Sequence, residues 1–404
     1  MLTSTNKLES HKIVIIAGEE SGDQHAAIVI KQLQARHPQI HITGIGGIHM
    51  QNAGAQLLCS LAQYGITGLS GVLRHMPIIR NAFRAIQAHL TATKPDLLIL
   101  VDYPGFNLRL AKWAKKNLKI KILYYISPQI WAWKAQRMKT IRACVDHMAV
   151  ILPFEKILYE RAKVPVSFVN HPLVDQVAAY LQAPLSRLTL GLPAQHPLLC
   201  ILPGSRIHEI KHHMPVLLTT ITRLQKQIPK LHVTIPLAKT IPKHVLYNYL
   251  RHTKVPYTII DGQAMATMAC SDAIIVASGT ASLECALLGK PMCIIYKVST
   301  LTSMVAAKVI RVRYLGLCNL LQNKMIVPEL IQYDCNPQEL TRVAYNLLTN
   351  HTIRHNIAAN LQQLRISLSA QQADCSLYTI IERELRLDLA ATVRESSPAA
   401  VSTP

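Results

Sequence analysis

The sequence predicts an α/β protein of two Rossmann-like domains facing across a cleft, followed by C-terminal helices. Three observations predict it. Short runs that are apolar throughout alternate with longer helical stretches, which suits parallel strands buried on both faces. That alternation occurs twice, on either side of a Pro- and Gly-broken stretch at 181–197. At 404 residues the chain also exceeds what one small core serves.

The first series of strands is read at IVIIAG (13–18), HITGIGG (41–47), DLLILVD (96–102), KIKILYYIS (119–127), HMAVILP (147–153) and SFVNHP (167–172). The second is LLCILPGS (198–205), LHVTIPLA (231–238), YTIIDG (257–262), AIIVASG (273–279) and PMCIIYK (291–297). Expected boundaries are an N-terminal extension at 1–12, a first domain at 13–182 and a second at 183–335. Helices at 336–390 either pack back on the first domain or are exchanged between subunits, and 391–404 is a small, polar, disordered tail. After Pro77, residues Ile79, Phe83, Ile86 and Leu90 share one helical face, with Arg80 and Arg84 off its centre. That face suits packing on its own sheet, the alternative being an anionic membrane surface.

Forty-three Lys and Arg against 22 Asp and Glu give a charge of +21, which favours an anionic partner without choosing among nucleic acid, phosphorylated substrate and membrane. No apolar run reaches bilayer-spanning length, and the polar start does not read as a secretory signal, so the expected compartment is the cytosol. The nine cysteines include no CxxC pair and several lie in apolar runs, so reduced core thiols are expected.

In the second half, ILPGSRIHEI (201–210) joins a strand to a helix. Gly204 permits a tight turn, the helix start at Ser205 offers unpaired N–H groups, and Arg206 adds a cationic fork. VASGTASLECALLGKP (276–291) repeats the geometry with Ser278, Gly279 and Thr280, and Glu284 one turn on can accept ribose hydroxyls. Each segment alone also reads as an ordinary capped helix. Two anion sites at strand ends of one half suit a nucleotide diphosphate.

In the first half, AGEESGDQH (17–25) is no GxGxxG fingerprint, and its acids would repel a pyrophosphate. Glu20, Ser21, Gly22 and Asp23 suit sugar hydroxyls or proton transfer, or else Ser21 or Asp23 is a helix cap. Asp102 closes DLLILVD at the end of a buried strand, where a general base or a helix cap is equally expected. YYISPQIWAWK (124–134) gathers aromatics that line an acyl or sugar pocket or belong to the core. His171 stands at another strand end as a loop or core histidine.

Together with GIGGIHM, VDYPGFNLRLAK, LPFEKILYE, NHPLVD and NLLQNKMIVPELIQ, these segments resemble the lipid-A-disaccharide synthase family from about residue 13 to about residue 380. The resemblance implies a glycosyltransferase-B fold and an inverting transfer of 2,3-diacylglucosamine from its UDP conjugate to 2,3-diacylglucosamine 1-phosphate. It implies no cofactor and no metal. By the same resemblance Asp102 and Arg206 are catalytic, and Gly204, Ser205, Arg206, Ser278, Gly279, Thr280, Glu284 and Asn319 hold the nucleotide. Glu20, Ser21, Gly22 and Asp23 meet the acceptor. It further implies a cytoplasmic enzyme peripheral to the inner membrane, and a homodimer that can exchange C-terminal segments, with Asn319 serving either subunit. Two positions depart from the family: Glu20 where threonine is common, and Asn170 where glycine is frequent.

A UDP-N-acetylglucosamine 2-epimerase would share the nucleotide loops but has no need of a lipid-accepting surface. A basic nucleic-acid-binding protein would account for the charge, yet no DNA- or RNA-reading module is present.

Overall fold

The computed structural model describes residues 11–61, 75–133, 136–182, 186–238, 240–299, 313–369 and 372–387. The C-terminal tail and most of the N-terminal extension lie outside them. The chain divides into two units: one holds the residues up to Asn170 together with those from Ala373 on, the other His171–Gln372.

In the first unit the strands are β1 (Lys12–Ala17), β2 (His41–Gly46), β3 (Gln56–Ser60), β4 (Leu97–Val101), β5 (Lys121–Tyr125), β6 (His147–Val150) and β7 (Val166–Phe168). All pair in parallel, in the order β3-β2-β1-β4-β5-β6-β7. The central strand β4 is apolar at every position and all five of its residues are buried, as expected where helices cover both faces. The first-unit helices are α1 (Glu20–Arg36), α2 (Ile48–Asn52), α3 (Met76–Thr93), α4 (Pro104–Asn117), α5 (Ile130–Trp133), α6 (Arg137–Cys144) and α7 (Pro153–Arg161). The apolar face of α3 packs on this sheet, with Ile86 and Leu90 buried and Phe83 edge-on to Phe106 at 5.3 Å. Arg80 and Arg84 are exposed.

The second unit opens with α8 (Pro172–Gln182), ahead of the expected boundary after residue 182. Its buried Leu173, Val174 and Val177 account for this, because α8 packs on helices of the second unit. Strands β8 (Leu198–Leu202), β9 (His232–Leu237), β10 (Tyr257–Asp261), β11 (Ala273–Ala277), β12 (Met292–Tyr296) and β13 (Glu329–Ile331) follow. They form a parallel sheet in the order β10-β9-β8-β11-β12-β13. The helices are α9 (Ile207–Gln227), α10 (Lys243–Leu250), α11 (Ala264–Cys270), α12 (Thr280–Leu287), α13 (Leu317–Leu321), α14 (Pro337–Thr349) and α15 (His351–Ser367).

Of the C-terminal helices, α14 and α15 pack within the second unit, on α9 and α12. Only α16 (Leu377–Leu385) returns to the first unit. The Arg36 guanidinium lies 4.5 Å over the Tyr378 ring, and His37 Nε2 is 3.0 Å from Glu382 Oε1. Just before this helix, the Asp374 carboxylate accepts from Lys156 Nζ at 2.5 Å and from the Phe168 amide at 2.8 Å.

Candidate active site

In each sheet the strand order reverses once, between β1 and β4 in the first unit and between β8 and β11 in the second. Helices leaving two such neighbours go to opposite faces, which opens a crevice at the strands' carboxyl ends. The residues singled out by sequence cluster at these two points.

At the first, β1 runs into Gly18-Glu19-Glu20 and β4 into Asp102-Tyr103. The turns are packed closely: a Cβ on Gly18 would come within 2.1 Å of the Tyr103 ring. Asp102 and Tyr103 both have φ of 44°, and Ile126 after β5 has 63°. Left-handed backbone is costly for non-glycine residues, above all for a β-branched one, and it concentrates at sites where geometry is over-determined. Here the fixing bonds are visible. The Asp102 amide donates to the Tyr125 carbonyl at 3.0 Å, and the Asp102 carbonyl accepts from Tyr124 Oη at 2.5 Å and Asn107 Nδ2 at 2.8 Å.

These bonds fasten the Asp102 backbone and leave its carboxyl half-buried at the crevice. Burial and then the charge of Glu19 raise that carboxyl, the Tyr103 amide and the Arg137 guanidinium oppose them, and the balance leaves it at about 7. A carboxyl poised near neutrality can take up a proton during a reaction and lose it afterwards.

Glu155, on α7, was given no role from sequence. It is buried, accepts from Trp131 Nε1 at 3.0 Å, and burial raises its carboxyl to about 8. A lone Glu in the first helical turn reads as favourable to the dipole, so only its burial marks it out.

The four residues expected to meet an acceptor differ in their surroundings. Glu20 is exposed and lies 3.0 Å from His49 Nε2, Ser21 is half-buried, and Gly22 is buried. Asp23 departs from the expectation. It is fully buried, with Oδ1 accepting from the amides of Gly47 and Met50 at 2.7 and 3.1 Å and Oδ2 from that of His49 at 3.0 Å. Its carboxylate therefore ties α1 to the start of α2, with both oxygens occupied. Glu20, Asp23 and His49 bring possible ligand atoms within 4.8 Å of one another, but Asp23 already holds three backbone amides and the other two pair together.

At the second point, β8 ends in Pro203-Gly204-Ser205-Arg206 and β11 in Ser278-Gly279-Thr280. Gly204 has φ of 130°, and a Cβ there would sit 2.5 Å from Glu209 Oε2. Glu209 is the residue the sequence did not single out. Its Oε2 accepts from the amides of Ser205 and Arg206 at 2.9 and 3.2 Å, and its Oε1 from Arg206 Nη1 at 2.9 Å. Two amides expected to be open to an anion are thus held by a carboxylate of the same helix. Arg206 stays about half exposed, with one of its five N–H donors engaged among the described residues.

Opposite it on the neighbouring strand, Ser278 is half-buried and Gly279 and Thr280 are exposed at the start of α12. Glu284 is half-buried on the same helix, and burial raises its carboxyl above the ordinary glutamate range. Behind the loops, His213 Nδ1 donates to the Pro203 carbonyl at 2.7 Å while Nε2 accepts from the Lys297 amide at 2.9 Å. This buried ring links the ends of β8 and β12.

Asn319 is not placed as the sequence led us to expect. It is fully buried, with Nδ2 donating to the Val327 carbonyl and Glu329 Oε1 at 2.8 and 2.7 Å. Its Oδ1 accepts from the amides of Ile326 and Val327 at 2.7 and 3.0 Å. An amide side chain offers two donors and two lone pairs, so Asn319 has no capacity left for a ligand. It folds the 319–329 segment against β13, and Glu329 in turn holds the amides of Leu315 and Gly316 at 3.0 Å.

Comparison with known proteins agrees with this arrangement. A family model described as lipid-A-disaccharide synthetase matches residues 13–384. A lipid-A-disaccharide synthase 1 of Legionella pneumophila (strain Lens) is 53% identical over 93% of this chain and 97% of its own. The lipid-A-disaccharide synthase of Trichlorobacter lovleyi is 40% identical over 90% and 94%. Among solved structures, UDP-GlcNAc 2-epimerase from Neisseria meningitidis bound to UDP-GlcNAc superposes with a TM-score of 0.60 at 15% identity, covering 88% of this chain and 98% of that one. The glycotransferase of kitacinnamycin also gives 0.60, at 14% identity over 93% and 99%. At such identity these two share the fold only, a two-domain α/β architecture of the glycosyltransferase-B kind. The extent of the family match and the identity to its members are decisive: the chain belongs to the lipid-A-disaccharide synthase family.

Proposed function

We propose that this chain is an inverting glycosyltransferase of lipid A biosynthesis, joining UDP-2,3-diacylglucosamine to 2,3-diacylglucosamine 1-phosphate. The observation that carries the reading is the Asp102 carboxyl, poised near neutrality at the reversal point of its sheet. The acceptor 6-hydroxyl oxygen attacks the donor's anomeric carbon, and its proton passes to Asp102. The bond from that carbon to the diphosphate breaks, and UDP leaves with the electron pair. The products are the β-1,6-linked disaccharide 1-phosphate and UDP.

Arg206 and the N-terminal end of α12 are assigned to the diphosphate, whose negative charge grows as it departs. Glu284 is assigned to the ribose hydroxyls. Its raised affinity for a proton comes from burial, and the hydroxyls of a diol would supply the ionised carboxylate with donors in place of water. Gly204 and Ser205 shape the turn, Ser278, Gly279 and Thr280 form the opposite edge of the site, and Glu20, Ser21 and Gly22 are assigned to acceptor hydroxyls. No metal is assigned to the reaction, since a fixed guanidinium and helix dipole can supply the positive charge.

Both substrates carry acyl chains, and no described helix is long and apolar enough to cross a membrane. We therefore assign the enzyme to the cytoplasmic face of the inner membrane, held peripherally with help from its +21 charge. Light scattering tests the homodimer that family membership suggests. The function is tested by incubating the protein with both acylated substrates, with and without chelator. Equimolar disaccharide 1-phosphate and UDP, unaffected by chelation, are expected; an epimerised sugar nucleotide in their place would overturn the reading.

A further inference from the structure

Glu155 stands in the first turn of α7 with 1% of its surface exposed. Its Oε1 receives the Trp131 indole N–H at 3.0 Å, while Oε2 is buried and has no hydrogen-bond partner among the described residues. Native interiors leave few such atoms unpaired, so each one calls for an explanation. Trp131 itself is half-exposed, and Phe154 braces its ring edge-on at 5.1 Å between centroids. The segment bearing Trp131 follows β5, the parallel neighbour of β4, which runs into Asp102. The two strand ends are tied by the Asp102 amide on the Tyr125 carbonyl and by Tyr124 Oη on the Asp102 carbonyl.

We propose that Glu155 is a positioning residue for the transfer: its carboxyl fixes the Trp131 indole as the wall on which the sugar acceptor lies beside Asp102. The inference rests on the glycosyl-transfer reading given above. An indole held by its N–H presents a rigid apolar face, suited to the C–H side of a sugar ring or to an acyl stem. A second anion next to Asp102 would oppose ionisation of the base, so the wall is held by an acid that stays protonated at neutral pH. Burial, with a smaller push from the charge of Asp102, leaves the Glu155 carboxyl at about 8 despite the hydrogen bond from Trp131. Among the described residues, the hydroxyls Ser127 Oγ and Tyr159 Oη, 2.8 Å apart, also bear on it. Glu19 and Arg137 act on Asp102 with opposite sign.

The test compares Glu155→Gln with Glu155→Leu. Glu155→Gln keeps a neutral acceptor for the indole and should retain acceptor KM and kcat at pH 7; in wild type acceptor KM should rise above about pH 8, as Glu155 ionises, and in Glu155→Gln it should not. Glu155→Leu should raise acceptor KM about tenfold or more, as expected for one lost buried hydrogen bond and a freed ring, with the Kd for UDP unchanged. An unchanged acceptor KM in Glu155→Leu, or a kcat loss in Glu155→Gln at pH 7 without a change in KM, would overturn the proposal. A second arm reads Trp131 fluorescence in a Trp113→Phe/Trp133→Phe background. Emission should shift between pH 7 and 9 in that protein and not when Glu155→Gln is added, and a shift that survives Glu155→Gln rejects the link. This arm needs no turnover, so it is decided even if wild type forms no disaccharide and the functional reading itself fails.

Discussion

Arg206 Nη1 lies 2.9 Å from Glu209 Oε1, so the cation assigned to the diphosphate is held in place by a carboxylate one helical turn away. The exposures differ sharply, 48% for the Arg206 side chain and 8% for that of Glu209. The acid is therefore a buried anchor, and the guanidinium keeps its other donors for a ligand. Arg206→Ala should weaken UDP binding by about tenfold or more, the scale of a lost hydrogen bond to a charged group. Arg206→Lys should recover little of it, because an ammonium lacks the planar fork. Titration calorimetry with UDP measures both.

Asp102→Asn should lower kcat by about 10²–10⁴-fold, the usual worth of a general base, and leave UDP affinity near wild type. In wild type kcat/KM should rise with pH through about 7, since the base works only when deprotonated. Glu19 raises the Asp102 carboxyl and Arg137 lowers it, so Glu19→Gln should move the acid limb to lower pH and Arg137→Leu to higher pH. Movement of both limbs in one direction would reject Asp102 as the titrating group.

Asn319→Ala should act on stability before function. It leaves two buried amides and a carbonyl without their partner, each costing about 1–3 kcal/mol. A fall of several degrees in Tm is expected in a thermal melt, with UDP affinity of the folded protein little altered. A selective loss of UDP binding at unchanged Tm would return Asn319 to the nucleotide site.

His213 gives stability a pH dependence of known sign. Burial lowers its folded pKa, so the unfolded chain takes up a proton from about 6.5 downward while the folded chain resists. The contribution is present above about pH 6.5 and is lost as pH falls through the folded value. Denaturant midpoints measured from pH 7.5 to 5 should decline less in His213→Gln than in wild type.

Much of this was legible in the sequence. Fully apolar runs such as Leu97–Val101 and Ala273–Ala277 announced buried parallel strands, and β4 and β11 formed there. Two edge strands were not legible. Gln56–Ser60 is only partly buried, and Glu329–Ile331 spans three residues. Neither has the length or the uniform burial that marks a central strand. Gly204 and Gly279 were readable because chain reversals after strands need glycine, and Asp102 because a carboxylate following a buried parallel strand points into the ligand crevice.

The order of apolar runs, glycines and isolated charges thus determined by itself that two nucleotide-type folds lie in tandem and which loops bear chemistry. Partnering was decided only by tertiary structure. Asp23 and Asn319 carry the same polar atoms as true ligands, yet their hydrogen bonds go to groups of the protein brought from up to 27 residues away in one case, a backbone amide, and 10 in the other, a carboxylate. Glu155 looks like any helical acid until folding removes its water and sets it against an indole. A side chain's valence is written in the chain, but whether the fold spends it or leaves it for a substrate depends on neighbours that sequence spacing does not specify.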